Sequence, residues 1–158
     1  MSAVRLTQLV SAWAVALWVG GLWAVGYLVA PLLFHALPDD RLLAGLLAGK
    51  MFAAMGMVGM VCGGWLLVNR LQVAGGQAFK QAVFWMVLLM WLLTLAQYFG
   101  IQPLLAEIKA EAALQAASKD VMESLFRDRF ATWHGVSSVV YLIESLLGLV
   151  LIAKSRQL

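Results

Sequence analysis

The sequence predicts an all-α polytopic membrane protein, a bundle of four transmembrane helices. Three observations predict it. The composition is 63% hydrophobic and 12% charged, about half the charged share of a soluble domain. Four apolar runs each exceed the ~20 residues that cross ~30 Å of hydrocarbon, and they are too continuous for barrel strands. The charges outside those runs are sorted between the two ends of the spans.

The first span is read over 7–34, because Leu6 to Leu37 carries no charge. Met1 to Arg5 ahead of it resembles the start of a secretory signal. The run is far longer than the ~7–15 residues of a signal core and has no convincing cleavage site, so it is read as a helix that stays. The turn Pro38-Asp39-Asp40 follows. The second span covers 42–69 and holds Lys50 within it. Its small residues, from Ala44, Gly45, Ala48 and Gly49 to Gly56, Gly59 and Gly63, let helices approach closely in lipid. That makes it the expected most buried helix, and a surface for a homo-oligomer or another membrane protein. A turn at Gln72 to Gln77, with Gly75-Gly76, leads to the third span at 77–102. The fourth span, 130–153, holds Glu144. Short connections make the first and second helices, and the second and third, antiparallel neighbours.

The long connection, 103–129, is not linker-like. Ala110, Ala112, Ala113, Ala116 and Ala117 are strong helix formers, and Asp120-Val-Met-Glu123 has a helix-capping pattern. It is read as a helical hairpin extending the third and fourth helices, with its turn near Ser118–Lys119. A surface-lying amphipathic helix is the alternative. The four spans and this hairpin use up the chain as a single domain.

Charge sorting gives the orientation. Arg5, Arg70, Lys80, Lys154 and Arg156 fall at the termini and the 2–3 turn, with no acidic residue beside them. The positive-inside rule makes that side cytoplasmic, with both termini inside, in a bacterial inner membrane. Every Asp and Glu except Glu144 falls on the other side. The same sorting argues against nucleic acid as a partner, despite a pI near 9.3. The one cysteine, Cys62, excludes an internal disulfide and a zinc-type cluster.

The polar residues at membrane depth are the functional candidates. A charge there costs about 2.5–3.5 kcal/mol on insertion scales, so it turns inward or marks a site. In the fourth span Phe130, His134, Ser137, Tyr141, Glu144 and Gly148 recur in steps of three and four, which places them on one helical face. At ~1.5 Å per residue, Lys50 and His134 lie in the outer half, and Glu144 lies about 21 Å below Phe130. Gln97 falls in the outer third of the third span. Lys50, Gln97, His134, Ser137 and Tyr141 are therefore expected around one outward-opening polar cavity, with Glu144 below them. Lys50 is also a candidate partner for Glu144, across an axial offset of ~9 Å. Plainer roles exist: Lys50 can snorkel to the interface, and Gln97 and Ser137 can join helices.

No catalytic motif appears, so an enzyme is not expected, and neither is a cofactor. Two weaker alternatives remain. His134 and His35 lie on one membrane side, where they could ligate haem or a metal. Met51, Met55, Met57 and Met60 are soft ligands that suit copper(I), although flexible packing is their usual use. Trp65 and Trp133 suit interfacial anchoring. Trp13, Trp18 and Trp23 do not share one face and read as lipid or packing contacts.

Phe130-Ala-Thr-Trp-His134-Gly135-Val-Ser137 resembles the Phe-x-x-Leu-His-Gly-x-Ser signature of the transmembrane protein 205-like family. Pro31-Leu-Leu-Phe34 and Ala48-Gly49-Lys-Met-Phe52 are similar to that family too, as are the four spans and the long third connection. Trp133 stands where Leu is usual and Tyr141 where Asn is common. The resemblance implies a small helical-bundle membrane protein. A fainter similarity, through Trp18-Val-Gly20-Gly21 and His35, is to haem-linked and copper-resistance four-helix membrane proteins.

The residues thus point to a non-enzymatic membrane protein that binds a small ligand or a membrane partner in an outward-facing cavity. A haem- or copper-binding redox protein and an oligomeric transporter component are the alternatives. The orientation is directly testable. In a Cys62→Ala background, Lys119→Cys should react with an impermeant thiol reagent on whole cells and Gln72→Cys should not. Labelling at 72 and not at 119 would invert the topology.

Overall fold

The computed structural model describes residues 3–115 and 122–154, and nearly all of these are helical. Helix α1 (Ala3–Trp23) runs through a π-helical segment (Ala24–Val29) into α2 (Ala30–Ala36). Together they make the first span. The second span is α3 (Arg41–Ala74), followed by a 3-10 turn (Gly75–Lys80). The third is α4 (Ala82–Leu95), a second π segment (Ala96–Ile101) and α5 (Gln102–Gln115). The fourth is α6 (Met122–Ala153). All four are long and apolar enough to cross a membrane. Helix α1 packs on α3, α3 on α4, α4 on α6, and α6 back on α1, which closes an antiparallel four-helix ring.

The local boundaries follow from chemistry in the turns. Asp40 caps α3, with its Oδ1 accepting the Leu43 N–H at 2.9 Å. Helix α3 runs on to Ala74, inside the anticipated turn at Gln72 to Gln77, and ends where Gly75, alone among the described glycines, adopts a positive φ, +52°. The third span accordingly starts at Ala82, not at residue 77. At the other end of the bundle α5 and α6 continue the third and fourth spans and pack on each other. The anticipated turn at Ser118–Lys119 and the Asp120 cap lie outside the described residues. The second span is not the most buried one, since the third is buried to the same extent.

Both π segments have the same cause. Pro31 and Pro103 each stand two residues beyond one. A proline inside a helix lacks an N–H, and its ring collides with the carbonyl four residues back. Those carbonyls belong to Tyr27 and Phe99, both inside the π segments. Widening the turn to i→i+5 bonds, Ala30 N to Val25 O and Gln102 N to Gln97 O, lets each helix continue past its proline.

The half of the bundle nearer the basic turns is closed. Trp18, Val19, Met90 and Leu151 are fully buried there. Of the three tryptophans spaced by five, Trp18 is core, Trp13 is exposed, and Trp23 donates to Ser145 O at 3.4 Å. Asn69 Nδ2 donates to Ser11 Oγ at 3.0 Å in a buried tie between the first two spans. Trp91 Nε1 donates to Met60 O at 3.0 Å. Close approach is possible because Gly63 faces both indoles: a Cβ there would lie 2.5 Å from Trp91 Cδ1 and 2.8 Å from Trp18 Cη2.

This contact gives a matched pair of substitutions. Gly63→Ala should lose about 1–3 kcal/mol by overpacking. Gly20→Ala, where a Cβ meets nothing within 4 Å, should lose none. Reversible unfolding in mixed micelles measures both, and equal stabilities would refute the packing described.

Candidate functional site

The half of the bundle nearer the acidic turns is open. All four spans line a cavity of about 500 Å³ there. It reaches from Lys109, Phe130 and His134 at its mouth to Trp18, Thr94 and Glu144 at its floor. Along α6 the distance from His134 to Glu144 is about 15 Å.

The floor is polar and buried. Glu144 is 2% exposed. Thr94, on α4, donates from its hydroxyl to Glu144 Oε1 at 2.5 Å. The carboxyl also faces the Trp18 indole, without a hydrogen bond of normal geometry between them. That indole, 0% exposed, is directed from the first span across the bundle. Its Nε1 packs over Gly59, where a Cβ would lie only 2.6 Å away. Among the described residues this N–H is the buried side-chain polar atom without a partner.

The walls are aromatic and are held by polar ties. Gln97 and Ser137 bond reciprocally: Ser137 Oγ donates to Gln97 Oε1 at 2.9 Å, and Gln97 Nε2 donates to Ser137 O at 3.2 Å. Tyr141 donates its hydroxyl to Leu22 O at 2.6 Å and stands edge-on to Phe52, with ring centroids 5.1 Å apart. Both π segments contribute wall residues, Gly26 and Tyr27 from the first, Gln97 and Tyr98 from the second. Single-turn π widenings recur at functional sites because they turn groups out of the helical repeat.

The mouth carries a cation. Lys109 Nζ donates to Gly45 O at 2.9 Å, tying α5 to α3. It also lies 5.6 Å from the Phe130 ring centroid, within cation–π range. Phe130 stacks on His134 with centroids 5.5 Å apart and planes 8° from parallel. His134 itself is exposed.

Of the residues anticipated around the cavity, Gln97, His134, Ser137, Tyr141 and Glu144 line it. Lys50 does not: its side chain is exposed on the outside of the bundle. The reason is rotation, since the second span presents Gly45, Gly49, Phe52 and Gly56 inward, and Lys50 is ~100° round from Gly49. The carboxyl of Glu144 pairs with Thr94, not with Lys50. His35 is exposed and does not line the cavity that His134 borders. Of the four second-span methionines, Met55 lines the cavity, whereas Met51 and Met57 are exposed on other faces. Among the described residues no three His, Cys, Asp or Glu side chains come together as metal ligands.

Sequence reasoning missed Trp18, Thr94 and Lys109. For Lys109 a signal was present: Tyr98, Gln102, Leu105 and Lys109 recur in steps of four, three and four, the same pattern that marks α6.

A family model described as a domain of unknown function (DUF4149) matches residues 13–114. No curated protein matches the chain. No solved structure matches it either. The matched stretch begins within α1, runs through the third span, includes Trp18, Thr94, Gln97 and Lys109, and stops short of α6.

The reciprocal Gln97–Ser137 pair yields a defined energy. Side-chain hydrogen bonds between membrane helices average ~0.6 kcal/mol and reach ~1.7. A double-mutant cycle of Gln97→Leu and Ser137→Ala, read by unfolding in mixed micelles, should give a coupling in that range. Zero coupling would mean that the pair does not form.

Proposed function

We propose that this chain, which belongs to the DUF4149 family, is a non-enzymatic binding protein that holds one small molecule in the cavity between its four spans. One observation carries the reading. A cavity of about 500 Å³ with an open mouth and a closed floor is within the ~300–1,000 Å³ of small-molecule sites. Its walls are mainly apolar and aromatic, with few polar groups, which is the usual make-up of such sites. Sorting of Arg5, Arg70, Lys80 and Lys154 to one end supports a cytoplasmic location for that end in a bacterial inner membrane. In that orientation the cavity faces outward. Kinship with the transmembrane protein 205-like family is part of the same proposal. It rests on Phe130 to Ser137, a motif on the cavity-lining helix and beyond the residues matched by the family model.

The test is to fill the cavity from a position that tolerates it. A Cβ on Gly49 meets only Lys109 Nζ, at 3.9 Å, so Gly49→Phe should place its ring in the mouth without disturbing the core. Native mass spectrometry of protein released from its own membrane should show one bound small molecule on the wild type and none on Gly49→Phe. No adduct on the wild type, or the same adduct on both, would overturn the reading.

A further inference from the structure

We infer that the cavity floor is a subsite for a hydroxyl group carried on a flat, largely apolar molecule, a phenol in chemical class. The inference rests on the binding reading above and deepens it. It starts from two groups that face each other at the floor without a hydrogen bond of normal geometry between them, the Trp18 indole and the Glu144 carboxyl. The Trp18 indole N–H is fully buried, lines the cavity and has no partner. An indole N–H can only donate, and one left poorly matched in the interior is costly. The Glu144 carboxyl faces that indole, and its hydrogen bond of normal geometry, from Thr94, goes to Oε1.

A ligand that satisfies both must accept from Trp18 and also bond with a carboxyl group. A hydroxyl meets this in either protonation state of Glu144. Its oxygen accepts twice and its hydrogen donates once. An ether or ketone could only accept, and would leave an ionised carboxylate unserved. Charge selects against the alternatives. A cation must pass Lys109 at the mouth, and an anion reaching the floor meets Glu144. The walls select the rest of the molecule. Tyr27, Phe52, Tyr98 and Tyr141 border the path to the floor, and aromatic faces and edges of this kind favour a flat ring between them. The path of about 15 Å leaves room for a ring with a substituent directed to the mouth.

The competing occupant of the floor is water, which also donates and accepts. The probes are 2-naphthol and 2-methylnaphthalene, which differ by a hydroxyl against a methyl of similar size. Their affinities for the full chain in lipid nanodiscs are measured per mole fraction of probe in the bilayer, so that partitioning cancels. 2-Naphthol should bind at least about tenfold more tightly, and Gly49→Phe should abolish binding of both. Trp18→Phe should cut the preference, read as the ratio of the two affinities, to about threefold or less. The wild-type ratio stands as a test even where Trp18→Phe does not fold. Equal affinities on the wild type would overturn the hydroxyl subsite and leave the binding cavity intact, with water satisfying the floor. No binding of either probe would overturn the subsite and the binding reading together.

Discussion

Hydrocarbon offers no hydrogen bonds, and that one constraint governs where the buried polar side chains of the spans are found. Each is tied to a neighbouring helix or turned to the cavity, while Lys50 stays exposed on the outside of the bundle. Ser11 and Asn69 tie the first span to the second. Trp91 and Lys109 tie the third span to backbone carbonyls of the second. Thr94–Glu144 and Gln97–Ser137 join the third to the fourth. Tyr141 and Trp23 close the ring between the fourth and the first. No such bond contributes much energy, at about 0.6 kcal/mol on average. Their combined effect is on geometry. Each helix has one rotation that serves its polar groups, and in that rotation the aromatic residues meet around a space.

The two halves of the bundle divide the work between packing and opening. Towards the basic turns, glycines let large rings interlock, with Gly63 under Trp18 and Trp91 and Gly148 against Val19. Towards the acidic turns the side chains no longer fill the ring, and the gap becomes the cavity. Trp18 belongs to both halves: its benzene edge packs on Gly63 while its nitrogen lies over Gly59 at the cavity floor. The residue that seals the core is thus also the one that presents an unused donor to the cavity.

How much of this was legible from the sequence depends on periodicity. The four spans follow from hydropathy alone, because their length is dictated by the bilayer. The α6 stripe was legible because His134, Ser137, Tyr141 and Glu144 interrupt an apolar background at helical spacing. Lys50 was misjudged because depth was weighed without rotation, and its neighbour Gly49 faces the cavity instead. Lys109 was hidden because the extension of the third helix was placed beyond the cavity, whereas α5 packs on α3 and α6 and returns the lysine to the mouth. Trp18 carries no local signal, since an indole in an apolar run does not reveal whether its nitrogen will find a partner. Pro31 falls inside the first span as read from the sequence, and Pro103 at the junction of the third span with its extension. Their π turns appear only when the helix is seen to run on.

Those two π turns change what an insertion or deletion would mean in this chain. In most proteins the positions that tolerate a gained or lost residue are loops, and helices hold the register. Here the first and third helices each already accommodate one residue more per turn than the α-ladder allows. Losing one there and returning to i→i+4 winding would leave the flanking turns nearly in phase, whereas losing one elsewhere in a helix swings everything beyond it by about 100°. Phe34 would stay on the cavity and Lys109 beside Gly45. A one-residue gap is therefore least disruptive in the middle of these two helices, where length variation is ordinarily least expected.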